Sequence, residues 1–129
     1  MPNVVFFSFA EADREVVLTI KGRAQNSKYP NLNFKVQDLL KRWVTEDPSV
    51  IRQAISKSIK GASRTIVFVG EKTHKSKWVP EEVEMTLKNN KPVYAMFLKD
   101  KKNSKIPKVL NDKNIKVYVW NHYCSIDFV

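Results

Sequence analysis

The sequence predicts an α/β domain with helices on both faces of a five-stranded parallel sheet, a three-layer sandwich, and three observations carry the prediction. Short apolar runs rich in β-branched and aromatic residues alternate along the chain with segments of helical periodicity. The central runs are continuously apolar rather than alternating, as expected of strands covered on both faces. The 129 residues, 43% of them hydrophobic and 11% aromatic, suffice for one core and predict one domain over residues 1–129.

The first strand is predicted over residues 4–9, Val-Val-Phe-Phe-Ser-Phe. Residues 11–20 are ambiguous: Val16, Val17 and Ile20 fit a short helical face, while their β-branched content suits a strand. Their place between two strands favours a helix. Residues 21–31, with Gly22, Asn26, Ser27 and Pro30, read as a polar loop suited to variable, partner-specific contacts. Residues 33–36 form a more alternating strand, expected toward the sheet edge. From 49 to 60, Val50, Ile51, Ala54, Ile55 and Ile59 fall on one helical stripe, with Asp47 as cap, Pro48 in the first turn and Gly61 at the end. Residues 65–69 make the central strand. A helix follows over 79–88, with Val79, Val83, Thr86 and Leu87 inward, Pro80, Glu81 and Glu82 near its start, and Asn89-Asn90 as terminator. Residues 93–98 are the fourth strand, 99–107 a loop, a turn of helix reaches Asn111, and 116–120 are a second edge strand. Only a reduced final helix is expected after it, leaving Ile126, Phe128 and Val129 to cover a sheet face or join a neighbouring subunit of a homo-oligomer.

Strand–helix alternation with right-handed crossovers commonly gives the sheet order 2-1-3-4-5 of flavodoxin-like folds. Ligands in such folds bind where the winding reverses, at the carboxyl ends of the first and third strands. Residues 8–14 (Ser-Phe-Ala-Glu-Ala-Asp-Arg) and 70–78 (Gly-Glu-Lys-Thr-His-Lys-Ser-Lys-Trp) should therefore face each other across one crevice.

Composition and absent motifs exclude several functions. A net charge of +10 favours anionic ligands. The lysines are scattered, however, apart from Lys99, Lys101, Lys102, Lys105 and Lys108, and no aromatic stacking platform interleaves with them, which argues against nucleic acid. One cysteine, Cys124, and two histidines far apart, His74 and His122, give little support to a disulfide framework, a zinc site or a Cys–His nucleophile. The N-terminus shows neither signal-peptide nor membrane-span character, so a cytoplasmic protein is expected. The sequence has no GxGxxG fingerprint and no Walker A loop. It also lacks the paired acids after strand one, and the lysine ending the last strand, that a response regulator needs.

The run Gly70-x-x-Thr73-x-x-Ser76-x-Trp78-Val79-x-x-Glu82 after an apolar strand resembles the corresponding segment of TIR-like domains, in particular the Thoeris antiphage-defence (ThsB-type) family. Val5-Phe6-Phe7-Ser8-Phe9 with Asp13, Phe34-x-Val36-x-Asp38, Ile66-Val67-Phe68-Val69-Gly70 and Lys91-Pro92-Val93-Tyr94 continue the resemblance over nearly the whole chain. The family often carries a serine two residues after the position of Asp38, where this chain has Leu40.

What the resemblance implies is an enzyme that cleaves the nicotinamide ribosyl bond of NAD, its substrate rather than a cofactor. It requires no metal and releases an ADP-ribose derivative, often cyclic, that activates an effector protein. Such cleavage needs a carboxylate near the ribose and an aromatic wall for the base. The resemblance assigns Glu82 as catalytic and places Ser8, Phe9, Asp13, Asp38, Gly70, Thr73, Ser76 and Trp78 at the substrate. Seven of these nine have a plainer reading beside them. Glu82 could simply favour a helix N-terminus by about 0.3–1 kcal/mol. Trp78 could staple the loop to the helix, Ser76 and Thr73 could cap or turn, and Phe9 could be core. Gly70 could permit a tight strand exit, and Asp38 could cap a strand end. A non-catalytic module that binds a nucleotide or another protein is the alternative.

Overall fold

The computed structural model of the protein describes residues 3–24, 34–37 and 47–119. Along them run β1 (Asn3–Ser8), a 3-10 turn (Glu11–Asp13), α1 (Arg14–Ala24), β2 (Phe34–Gln37), α2 (Pro48–Lys60), β3 (Arg64–Val69), a second 3-10 turn (Thr73–Lys75), α3 (Trp78–Lys88), β4 (Val93–Phe97), α4 (Lys108–Asp112) and β5 (Val117–Tyr118). The strands join in the order β2-β1-β3-β4-β5, every neighbouring pair parallel. β5 is short and pairs only Val117 with Ala95 and Tyr118 with Met96. Trp120, Cys124 and the apolar C-terminal residues Ile126, Phe128 and Val129 lie outside the described residues, as does the end of the expected last strand.

The connections explain the layers. The chain moves one way from β1 to β2 and the other way from β2 to β3, so right-handed crossovers put α1 on one face and α2, α3 and α4 on the other. Packing follows this division. Ile51, Ile55 and Ile59 of α2 bury against Phe6 and Ala62. Val79 and Val83 of α3, with Val109 and Leu110 of α4, bury against Val67, Val69, Val93, Ala95 and Phe97. By strand alternation Val5, Phe7, Ile66, Phe68 and Met96 point to the opposite face. There Phe7 and Phe68 meet edge to face at 4.7 Å.

Local chemistry fixes the helix ends. Asp47 accepts the Ser49 N–H and hydroxyl, both at 3.0 Å, and these bonds hold its carboxyl below the ordinary carboxylate value. At the other end of α2 the Lys91 ammonium donates to the carbonyls of Ile59 and Lys60 at 2.8 and 2.7 Å. Helix α3 stops at Asn89, and Asn90 adopts a left-handed conformation with φ 58°.

One boundary differs from expectation. Residues 21–24, read as loop, continue α1 through Gly22. A single glycine costs a helix about 1 kcal/mol, and Lys21, Arg23 and Ala24 around it are good helix formers. The rest of that loop lies outside the described residues.

Candidate functional site

The loop leaving β1 and the loop leaving β3 do face each other. Between them lies a cleft of about 300 Å³ lined by Ala10, Glu11 and Ala12 on one side and Lys72, Lys75, Ser76, Lys77 and Trp78 on the other. The volume is at the lower end for small-molecule sites.

Trp78 opens α3 and works in two directions. It lines the cleft and also packs against the core formed by Phe6 and the inner face of α2. The Arg52 guanidinium carbon, reaching across from α2, lies 5.6 Å from the ring centroid, and the Lys77 ammonium lies 5.1 Å from it. Arg52 is held there by Glu81, whose Oε1 accepts from Nε at 3.2 Å and Nη2 at 3.1 Å. Ser76, at the cleft wall, also accepts the Val79 N–H at 3.3 Å and so helps start α3.

Glu82 is not part of that lining. Its side chain is fully buried, and its Oε1 accepts the hydroxyl of Ser8, itself fully buried, at 2.8 Å. A carboxyl buried this way is costly unless hydrogen-bonded, and Ser8 supplies such a bond from the end of β1. Glu82, expected near the substrate, does not line the cleft, because the inward face of α3 that carries Val79, Val83 and Thr86 turns Glu82 into the interior as well. A second polar clamp sets its height. The Thr86 hydroxyl donates to the Glu82 carbonyl at 2.8 Å, which leaves Thr65 as donor in the 2.7 Å bond between the two threonine hydroxyls.

The remaining candidates divide by burial. Phe9 is buried in the core and does not line the cleft, since it follows directly on the enclosed run of Val5, Phe6, Phe7 and Ser8. Thr73 is fully buried and shapes the loop: its hydroxyl accepts the Gly70 N–H at 2.7 Å and donates to the Phe68 carbonyl at 3.4 Å. At Gly70 the need for glycine comes from Asp13, because a Cβ there would stand 2.5 Å from Asp13 Oδ2. Gly70 has no positive φ, so close approach explains it rather than a special backbone conformation. Asp13 thus abuts the opposing loop, its Oδ2 buried without a hydrogen-bond partner. Burial pushes its carboxyl above the ordinary 3.8; the Lys101 ammonium pulls it back and Glu71 adds to the rise. Lys101 and Glu71 pair at 2.8 Å, tying the loop after β4 to the loop after β3. Asp38 lies outside the described residues.

The two facing segments read from the sequence include Glu11, Lys72, Lys75 and Lys77 but give them no role, and Arg52 was not expected beside Trp78. The spacing of the three lysines in the loop after β3 was a visible signal, whereas nothing in the sequence pairs Arg52 with Glu81. Among the described residues no group of three or more His, Cys, Asp or Glu side chains gathers to hold a metal ion. Nor is any helix among them long and apolar enough to cross a membrane.

A parallel sheet of this order with a cleft between the β1 and β3 loops is the architecture of a TIR-type domain, and solved structures agree. The chain is similar to the TIR domain of the Toll-related receptor TRR-2 from Hydra magnipapillata, with a TM-score of 0.61 and 18% identity over 90% of this chain and 82% of that one. It is similar to the Clostridium botulinum CMP N-glycosidase BcmB, with a TM-score of 0.59 and 14% identity over 93% and 90% of the two chains. It also resembles the RPS4 and RRS1 TIR domain heterodimer, with a TM-score of 0.57 and 14% identity over 99% and 89%. The chain belongs to the TIR-like domain family of the Thoeris protein ThsB, whose family model matches residues 6–103. No curated protein matches it.

Proposed function

We propose that this chain is an NAD-consuming enzyme of antiphage defence, a glycohydrolase or ADP-ribosyl cyclase on a flavodoxin-like scaffold, that releases an ADP-ribose-derived signal to an effector protein. The observation that carries the proposal is Glu82, four residues after the cleft-lining Trp78 and hydrogen-bonded in the interior to Ser8 at the end of β1. In this reading the nicotinamide lies against Trp78 and the pyrophosphate among Lys72, Lys75 and Lys77. A ribose hydroxyl displaces the Ser8 hydroxyl from Glu82, which brings the carboxylate to the sugar. The ribose–nitrogen bond breaks, its electron pair leaves with neutral nicotinamide, and the carboxylate stabilises the ribosyl cation. Water, or a nitrogen of the same molecule's adenine, then adds to that cation and loses a proton.

Purified protein, alone and with infected-cell lysate, should turn over NAD, read by mass spectrometry of the small molecules. Glu82→Gln should abolish turnover while preserving the folded circular-dichroism spectrum. Equal turnover by the two proteins would end the catalytic assignment.

The complete burial of Glu82 favours a second reading, a cytoplasmic TIR-like module that binds a nucleotide or protein without consuming it and signals by assembly into a homo-oligomer. Titration with NAD and ADP-ribose together with light scattering separates the two readings. Tight binding without turnover, accompanied by a rise in mass, supports the module.

A further inference from the structure

Trp78, the surface against which the base would lie, is surrounded by charge. Two cations already share its ring: Arg52 at 5.6 Å and Lys77 at 5.1 Å from the centroid. Lys72 and Lys75 add two more positive charges to the cleft lining, against the single acid Glu11. Arg52 is fixed by two N–H bonds onto one oxygen of Glu81, across the α2–α3 junction. We infer that Arg52 and Lys77, acting through Trp78, are specificity-determining residues that make the cleft favour a nucleotide with a neutral base over the same nucleotide with a cationic one. The inference rests on the proposed function, because it takes the base to lie at Trp78.

The face of an indole ring attracts one cation because its quadrupole presents negative potential there. A ring already attended by a guanidinium and an ammonium has that attraction in use, and a pyridinium placed on it adds a third positive charge, offset only by the Glu81 carboxylate paired with Arg52. A neutral ring of the same shape keeps the stacking and dispersion terms without that repulsion. Lys72 and Lys75, which make no cation–π contact with the ring, act on the phosphates that both ligands share. The same field has a kinetic consequence. When the ribosyl bond breaks, positive charge leaves the base for the sugar, so cations around the base destabilise the starting state more than the departing neutral nicotinamide.

NAD+ and NADH form the required pair of probes, differing by one hydride and hence by the charge on the nicotinamide ring. Their dissociation constants are measured calorimetrically in the Glu82→Gln background, so that NAD+ persists during the titration. NADH should bind more tightly by roughly two- to fivefold, the range one cation–π contact at a partly exposed site provides. Arg52→Gln and Lys77→Gln should each narrow the ratio. Arg52→Lys, which keeps the charge, should hold it, and Glu81→Gln, which removes the counter-charge on Arg52, should widen it. Equal affinities, tighter binding of NAD+, or a ratio indifferent to these substitutions would overturn the inference while leaving the NAD-consuming reading to its own turnover test. Binding of neither probe would likewise overturn the inference, and turnover of NAD by the wild type would decide the proposed function separately.

Discussion

Asp13 shows how one side chain can join two loops at a cost. Its carboxyl presses against Gly70 with one oxygen buried and unpartnered, and burial raises its pKa from 3.8. A carboxyl whose pKa is higher folded than unfolded binds its proton more tightly in the folded state. The stability it contributes is fully present below about 3.8 and is lost as pH rises through the raised value. Asp13→Asn, neutral at every pH, should therefore melt higher than wild type at neutral pH, with the gap closing as pH falls toward 3.8. Melting curves that stay parallel across that range would show that the carboxyl is solvated after all. Neither the burial nor the fit against Gly70 could be read from the chain, where Asp13 is one acid in a polar loop.

At the level of elements, α3 is held to the sheet by more than its apolar stripe. The buried relay from Thr65 through Thr86 to the Glu82 carbonyl fixes how the helix lies along β3. Thr86→Val should cost about 1–3 kcal/mol in chemical denaturation, because it leaves the enclosed Thr65 hydroxyl without its acceptor. The Thr65→Val/Thr86→Val double variant should lose less than the sum of the two single changes. Additivity would mean that the two hydroxyls act independently. Elements with matching local and global preferences were legible in advance. Helix α2 has its cap Asp47, Pro48, the isoleucine stripe and Gly61. β3 has an unbroken apolar run, which only a strand enclosed on both faces can use. Helix α1 was ambiguous because its local chemistry is divided. Val17 is buried, while Val16 and Leu18 are 48% and 38% exposed, so the segment lacks a clean amphipathic pattern and the crossover decides its form.

For the whole molecule, sheet order follows from alternation and handedness, and the cleft's location follows from sheet order. What the cleft presents does not, since side-chain depth depends on how α3 rotates against its neighbours. That rotation turned Glu82 toward Ser8 and left lysines at the rim. The Ser8–Glu82 bond joins residues separated by 74 positions, from the first strand to the third helix. Such a contact has no local support while the chain is still organising, so it should close only after β1 and β3 have paired. Ser8→Ala should then speed unfolding with little change in the refolding rate, whereas slowed refolding at constant unfolding rate would place the contact in the nucleus. The Ser8–Glu82 contact would thus be among the last features of the native state to arrive and the first to open, so its lifetime is a clock for how long the first strand and the third helix stay latched together.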